Sequence, residues 1–209
     1  MIELYSKHLE NAVNEISKLP GIGKRSALRL ALHLIKQDEA SVTLLTDRIN
    51  KLKSNLVYCR QCYNISDTEI CDICSNLKRN NRIICVVQDI RDVIAIENTN
   101  QYNGVYHVLG GVISPIEGVG IQQLTIKQLF ERVDNGNIDE IILALPATVE
   151  GDTTNFFIYK NIKDKVAVIT TIARGIGVGE ELEFADEITL GRSILSRTTF
   201  DNSFKTNNK

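Results

Sequence analysis

Two cysteine pairs, Cys59-x-x-Cys62 and Cys71-x-x-Cys74, stand eight residues apart in a polar stretch, residues 57–75, that has no apolar stripe of its own. A CxxC turn aims two thiolates at one point. Two such turns facing each other complete a tetrahedral shell of four sulfurs, the donor set of structural zinc. All four positions are then taken, and none is left for water or substrate. A knuckle of about 20 residues cannot bury enough apolar surface to fold alone, and metal binding of order 10 kcal/mol replaces the missing core. Redox-active CxxC pairs would need a thioredoxin-like strand–helix setting, which these polar residues do not offer. The expectation is one structural Zn²⁺ per chain, held by Cys59, Cys62, Cys71 and Cys74. The fifth cysteine, Cys85, sits in an apolar strand-like run and reads as a small core residue rather than a reactive thiol.

Metal rather than disulfide also fits the compartment. The opening MIELYSKHLENAV has no basic region followed by an apolar core, and the longest apolar runs, such as 83–87, are far too short to span a bilayer. The expected location is the cytoplasm, with no membrane association. The net charge of -2 decides nothing, but its distribution does. Residues 1–80 hold 12 Lys/Arg against 9 Asp/Glu, and residues 81–209 hold 12 against 17. Any contact with nucleic acid is expected in the mildly basic front.

That front is helical. Tyr5, Leu9, Ala12, Val13, Ile16 and Leu19 recur at helical spacing and end at Pro20-Gly21; Ala27, Leu28, Ala31, Leu34 and Ile35 mark a second helix. Val42, Leu45, Ile49, Leu52 and Leu56 mark a third, whose seam suits packing within the domain or against another subunit. Between the first two helices lies Leu19-Pro20-Gly21-Ile22-Gly23-Lys24-Arg25. Gly21 and Gly23 permit a tight turn, Ile22 can tuck back between the helices, and backbone N–H groups at the next helix start favour anions. Lys24 and Arg25 sit at that end, with Arg29 one turn on from Arg25. Together they predict a surface that binds phosphates with little sequence preference. The plainer alternative is a helical corner with solvated basic residues. His8 and His33 read as ordinary helix residues.

After Arg82 the period changes. β-branched runs at 83–87, 140–145 and 166–172, with a further strand at 106–109, alternate with helical stretches around Val93–Ile96, Ile126–Val133 and Phe156–Ile162. Alternation of this kind implies βαβ units and a parallel sheet covered on both faces. Gly175-Ile176-Gly177-Val178-Gly179 is followed by Glu180 and Glu181, not the Lys-Ser/Thr of a nucleotide loop, and reads as a structural turn. The acidic run 180–187 reads as a solvated face or partner surface, and the polar tail 201–209 as disordered.

The segments LPGIGKRSALRLALHLI, ICVVQDIRDVIAIENT, YHVLGGVISPIEGVG, ILALPATVEGDTTNFFI and TIARGIGVGEELEFADEITLGRSI, with the four cysteines in their order, resemble the RecR family of recombination mediators over residues 5–200. The resemblance implies dimers and ring-like tetramers that encircle DNA. It implies work with RecO, and in many organisms RecF, to load RecA onto gapped DNA coated by single-strand-binding protein. It carries the DNA contacts onto Lys24, Arg25 and Arg29 beside Gly21 and Gly23, and the zinc ligands onto the four cysteines. It makes the α/β region a Toprim domain, whose face meets RecO.

Toprim enzymes hold Mg²⁺ with a Glu at the end of the first strand and an acidic pair after a later one. This chain departs from them, and from the acid common in its relatives, with Gln88, a neutral amide that binds a hard cation poorly. Glu150 and Asp152 survive as a candidate partner surface. The relatives' Pro within 175–179 is also missing.

The resulting organisation is α+β and multi-domain. A helix–hairpin–helix DNA-binding domain covers 1–56, a four-cysteine zinc finger 57–78, a Toprim domain 79–175, and a C-terminal oligomerisation arm and tail 176–209. The expected role is a non-catalytic clamp subunit. A Mg-dependent Toprim nuclease or primase is the alternative; a zinc-ribbon transcription regulator would leave the α/β region without a role.

Overall fold

The β-branched runs of the second half form the sheet. In the computed structural model, which describes residues 6–197 and 199, β3 (Asn80–Val87), β4 (Gly104–Val108), β5 (Glu140–Ala144) and β6 (Val168–Thr171) lie in the order β4-β3-β5-β6, every neighbouring pair parallel. β4, and β3 from Ile84 on, are buried on both faces and read as apolar runs because neither face is left to water. The edge strand β6 is only partly covered, with Val168 48% exposed, short of the expected cover on both faces. Ile84, Val86, Val105, Ile141 and Leu143 face one layer, made by α6 (Ile126–Asn135) and α7 (Val149–Ile162), where Leu129, Val133, Ile158 and Ile162 are buried against them. Cys85, Val87, Tyr106 and Val108 face the other, with Val93 of α5 (Ile90–Asn98). Cys85 is buried there, and its burial pushes the thiol up to about 12.

Two helix boundaries are set by local chemistry. Asp89 caps α5 in a capping box with Asp92. Thr148 caps α7 by accepting from the Gly151 N–H, so that helix begins seven residues before the expected Phe156. Gly151 is required inside it, since a Cβ there would stand 2.0 Å from the Pro146 carbonyl oxygen.

The chain divides into two compact units, residues 1–57 and 58–209. The first holds α1 (Lys7–Ile16), α2 (Lys24–Ile35) and α3 (Glu39–Asn55). Its core is small: Val13, Ala27 and Ala31 are buried, with Leu9, Ile16, Ile22 and Leu28 against them. The third stripe finds no cover, for no residue of α3 is buried and Leu45, Ile49 and Leu52 are exposed.

At the boundary β1 (Val57–Tyr58) pairs with β2 (Ile65–Ser66), and the short helix α4 (Asp72–Ser75) completes the cysteine knuckle. After the sheet, an arm carries α8 (Glu187–Leu195). Tyr5 of the first stripe and the polar tail 201–209 lie outside the described residues.

Candidate functional site: a cysteine cluster, a cationic hairpin and a carboxylate-poor sheet edge

The two CxxC turns meet. The four Sγ atoms all lie within 4.8 Å of one another, and all four residues are buried. A tetrahedral Zn–S shell of about 2.3 Å bonds needs sulfurs about 3.8 Å apart, so the cluster fits the ion. Cys71 N–H also points at Cys59 Sγ, 3.3 Å away, a contact that steadies a thiolate. The Cys62 hydrogen bond holds Cys71 low, and the same sulfur contacts with burial push Cys62 and Cys74 up. Cys62, Cys71 and Cys74 therefore titrate together, and a divalent cation among the four sulfurs relieves the conflict. This is a structural zinc site.

Its docking on the sheet is not visible in the motif. Val108 N–H, on the edge strand β4, donates to Cys62 O at 2.7 Å, and the Arg132 guanidinium reaches both Gln61 O and Tyr106 O. Tyr63, in left-handed backbone at φ 62°, lays its ring 5.4 Å from that of His107. His107 is fully buried and burial depresses its pKa to about 4. Its Nε2 pairs with Thr125 at 2.9 Å to the carbonyl and 3.1 Å to the hydroxyl, while its Nδ1 has no partner among the described residues. Nothing in the sequence marks His107, because its partner Thr125 lies 18 residues on along the chain.

The hairpin takes the expected turn. Gly21 has φ +77°, which only glycine adopts without strain, and Ile22 packs back against the small core. Gly23, the N-cap of α2, has φ −80° and does not need glycine for its backbone. No side chain caps α2, and a Cβ at Gly21 or Gly23 would meet nothing within 4 Å. The helix start is therefore open to an approaching anion.

The predicted basic trio is divided. Arg25 and Arg29 line a groove with Leu28, Leu32, His33 and Lys36, but Lys24 does not, since one residue is about 100° of turn. Lys24 belongs to the helix end and Arg25 and Arg29 to the groove.

The acidic pair is divided too. Glu150 and Asp152 share the first turn of α7, but residues two apart do not face each other. Asp152 is gripped by both nitrogens of Arg174, at 3.1 and 2.6 Å, with Arg192 of α8 at 3.8 Å. The Arg174 guanidinium holds its carboxyl below the usual range. Asp152 is thus not a free acid awaiting a partner, whereas half-buried Glu150 forms no ion pair among the described residues. At the end of β3, Gln88 N–H donates to Asp92 and its carbonyl accepts from Gly110 N–H. The nearby acids are committed, Asp92 to the capping box and Asp89 to Arg91. This sheet edge presents no converging free carboxylates among the described residues.

No helix among the described residues is long and apolar enough to cross a membrane. Comparison with known proteins matches residues 9–53 to the profile "RecR, helix-hairpin-helix", 56–76 to the RecR zinc finger domain of four cysteines, 82–173 to "Toprim domain" and 175–198 to "RecR, C-terminal". The chain is 59% identical over 206 residues to the "Recombination protein RecR" of Flavobacterium johnsoniae, covering 99% of this chain and 100% of that one. It is 57% identical over 192 residues to that of Bacteroides thetaiotaomicron, 92% and 94% of the two chains. To that of Porphyromonas gingivalis it is 50% identical over 206 residues, 98% and 100%. With this identity over nearly its full length and all four profiles in order, the chain belongs to the RecR family.

Proposed function

We propose that this chain is a non-catalytic, DNA-binding clamp subunit of recombinational repair. It acts in the cytoplasm with RecO, and with RecF where present, to load RecA onto gapped DNA coated by single-strand-binding protein. The observation that carries the reading is the open helix start at Gly23-Lys24 beside Arg25 and Arg29, which form no ion pair among the described residues. This surface contacts phosphates through N–H groups and cations and reads no base. The uncovered seam of α3, with exposed Leu45, Ile49 and Leu52, supports a homo-oligomer, as do the exposed Leu182, Phe184 and Ile188 of the arm. Several weak hairpin patches combined in a ring would hold DNA by geometry as well as charge.

The enzymatic alternative is disfavoured by the carboxylates. Phosphoryl transfer needs Mg²⁺ held by acids beside the scissile phosphate. Here Gln88 replaces one acid and Arg174 neutralises another. Glu150 is the acid left to meet a basic partner, for which RecO is the candidate. The test is DNA binding by Lys24→Glu/Arg25→Glu across a salt titration, together with incubation of the intact protein with DNA and Mg²⁺ or Mn²⁺. Loss of binding with unchanged zinc content and no cutting, joining, relaxing or priming is expected. Unchanged affinity at moderate salt removes the hairpin from the mechanism, and turnover that vanishes in Glu150→Ala overturns the non-catalytic role.

A further inference from the structure

The cationic face of α2 runs well past the hairpin. At about 100° per residue, Arg25, Lys36, Arg29 and His33 fall within an arc of about 80°, opposite the buried Ala27 and Ala31. These four side chains, with Leu28 and Leu32, line one cavity of 450 Å³, and no acid lines it. The sequence has no Asp or Glu between Glu15 and Asp38. Among the described residues, Arg25, Arg29 and Lys36 form no ion pair, whereas Arg60, Arg79, Arg82, Arg91, Arg174 and Arg192 each hold a carboxylate. Three permanent cations on one face repel one another, and an external anion is what relieves them.

The ladder from Arg25 to Lys36 rises about 16 Å. That length faces several successive phosphates, since a strand of B-DNA presents one per roughly 3.4 Å of axis. We propose that the nucleic-acid backbone follows α2 to its C-terminal end, with His33 and Lys36 as phosphate contacts beyond the hairpin. This rests on the DNA-binding reading above and extends its footprint by two turns. The Gln37 amide nitrogen lies 3.3 Å from His33 Nε2, so the Nδ1 side of the imidazole is the one left to meet a phosphate oxygen. The C-terminal end of a helix carries about half a negative charge, and the full charge of Lys36 outweighs it. Exposed Leu32 between the cations offers an apolar floor for the sugars.

The experiment compares the full-length protein with three variants for affinity and salt dependence on one DNA oligonucleotide. His33→Ala/Lys36→Gln changes exposed groups only and is expected to weaken binding about five- to tenfold at moderate salt, with a log–log slope shallower by about one unit. Lys53→Gln on α3 removes the same formal charge elsewhere and should change affinity less than about twofold. Arg25→Gln/Arg29→Gln reports on the hairpin itself. If the His33/Lys36 variant binds like the parent while the Arg25/Arg29 variant fails, the track stops at the hairpin and the extension is wrong. An equal loss in Lys53→Gln also overturns it, because net charge alone would then explain the effect. If neither groove variant loses affinity, the hairpin reading falls with it.

Discussion

The hairpin of the first unit and the packed interior of the second handle charge and glycine in opposite ways. Inside the second unit three arginines turn inward: Arg79 bonds Glu97 and the carbonyls of Tyr102 and Gly104, Arg132 spans two carbonyls, and Arg174 takes Asp152, while Arg60, Arg91 and Lys127 stay exposed. On α2 of the first unit, Arg25 and Arg29 have no such partner among the described residues. Glycines at these two places differ in the same way, although Gly110, Gly118, Gly179 and Gly191 of the second unit also face open space. A Cβ at Gly104 would stand 2.7 Å from the Ile83 carbonyl and one at Gly151 2.0 Å from that of Pro146, whereas one at Gly21 or Gly23 would meet open space. The packed interior uses these residues to close itself, and the hairpin keeps its own facing outward. A scaffold and a contact surface have been built from the same residue types, and only the packing around them tells which is which.

The sharpest way to break this comparison is through the metal. Cys59→Ser should abolish stoichiometric zinc and destabilise the second unit by more than about 3 kcal/mol, of order 10 °C in melting temperature. The helical signal of the first unit should survive. Purified parent protein with four free thiols and no metal would contradict the structural site outright.

Next in size is a contrast of apolar substitutions. Ile158→Ala removes a fully buried side chain and should cost about 2–5 kcal/mol. Ile49→Glu on α3 changes an exposed one, so the fold of a single chain should tolerate it. If the α3 seam is a subunit contact, Ile49→Glu should instead lower the mass in solution and weaken DNA binding with it. A parental mass for Ile49→Glu would show that the seam is simply solvated.

A smaller effect is expected with pH. His107 is held near 4 when folded, against about 6.5 when unfolded, so below 6.5 the unfolded chain binds the extra proton. Stability should be full above pH 6.5 and fall as the pH drops from 6.5 toward 4, by up to about 3 kcal/mol for a fully buried imidazole. His107→Gln should flatten that dependence. The parent's slope persisting in His107→Gln would assign it to other groups.

These contrasts also explain what the sequence makes legible. The zinc quartet is legible because CxxC spacing is itself geometry. The sheet is legible because its inner strands, buried on both faces, leave unbroken β-branched runs, while the run of the edge strand β6 is legible although Val168 is half exposed. The hairpin is legible because Gly21 needs a backbone that few residues adopt. What stays hidden depends on partners far along the chain. Asp152 reads as a free acid until Arg174, 22 residues on, is seen to hold it. The start of α7 is hidden because Gly151 interrupts the helical pattern, and its reason is the approach of Pro146 O. The α3 seam has the spacing of a packed stripe, yet no residue of that helix is buried.

The smallest expected effect separates the two hairpin glycines. Gly21→Ala forces a side chain into φ +77° and should cost about 1 kcal/mol of the first unit's stability, the general penalty of left-handed backbone. Gly23→Ala meets neither a strained φ nor a neighbour within 4 Å, so its cost is the N-cap preference for Gly over Ala, about 0.5–1 kcal/mol. Its methyl would also stand where a phosphate approaches the open start of α2, and DNA affinity should fall at a temperature where the variant is still fully folded. A Gly23→Ala protein with unchanged DNA affinity would show that the backbone N–H groups of the helix start are not the contact. The side chains of Arg25 and Arg29 would then carry the binding alone.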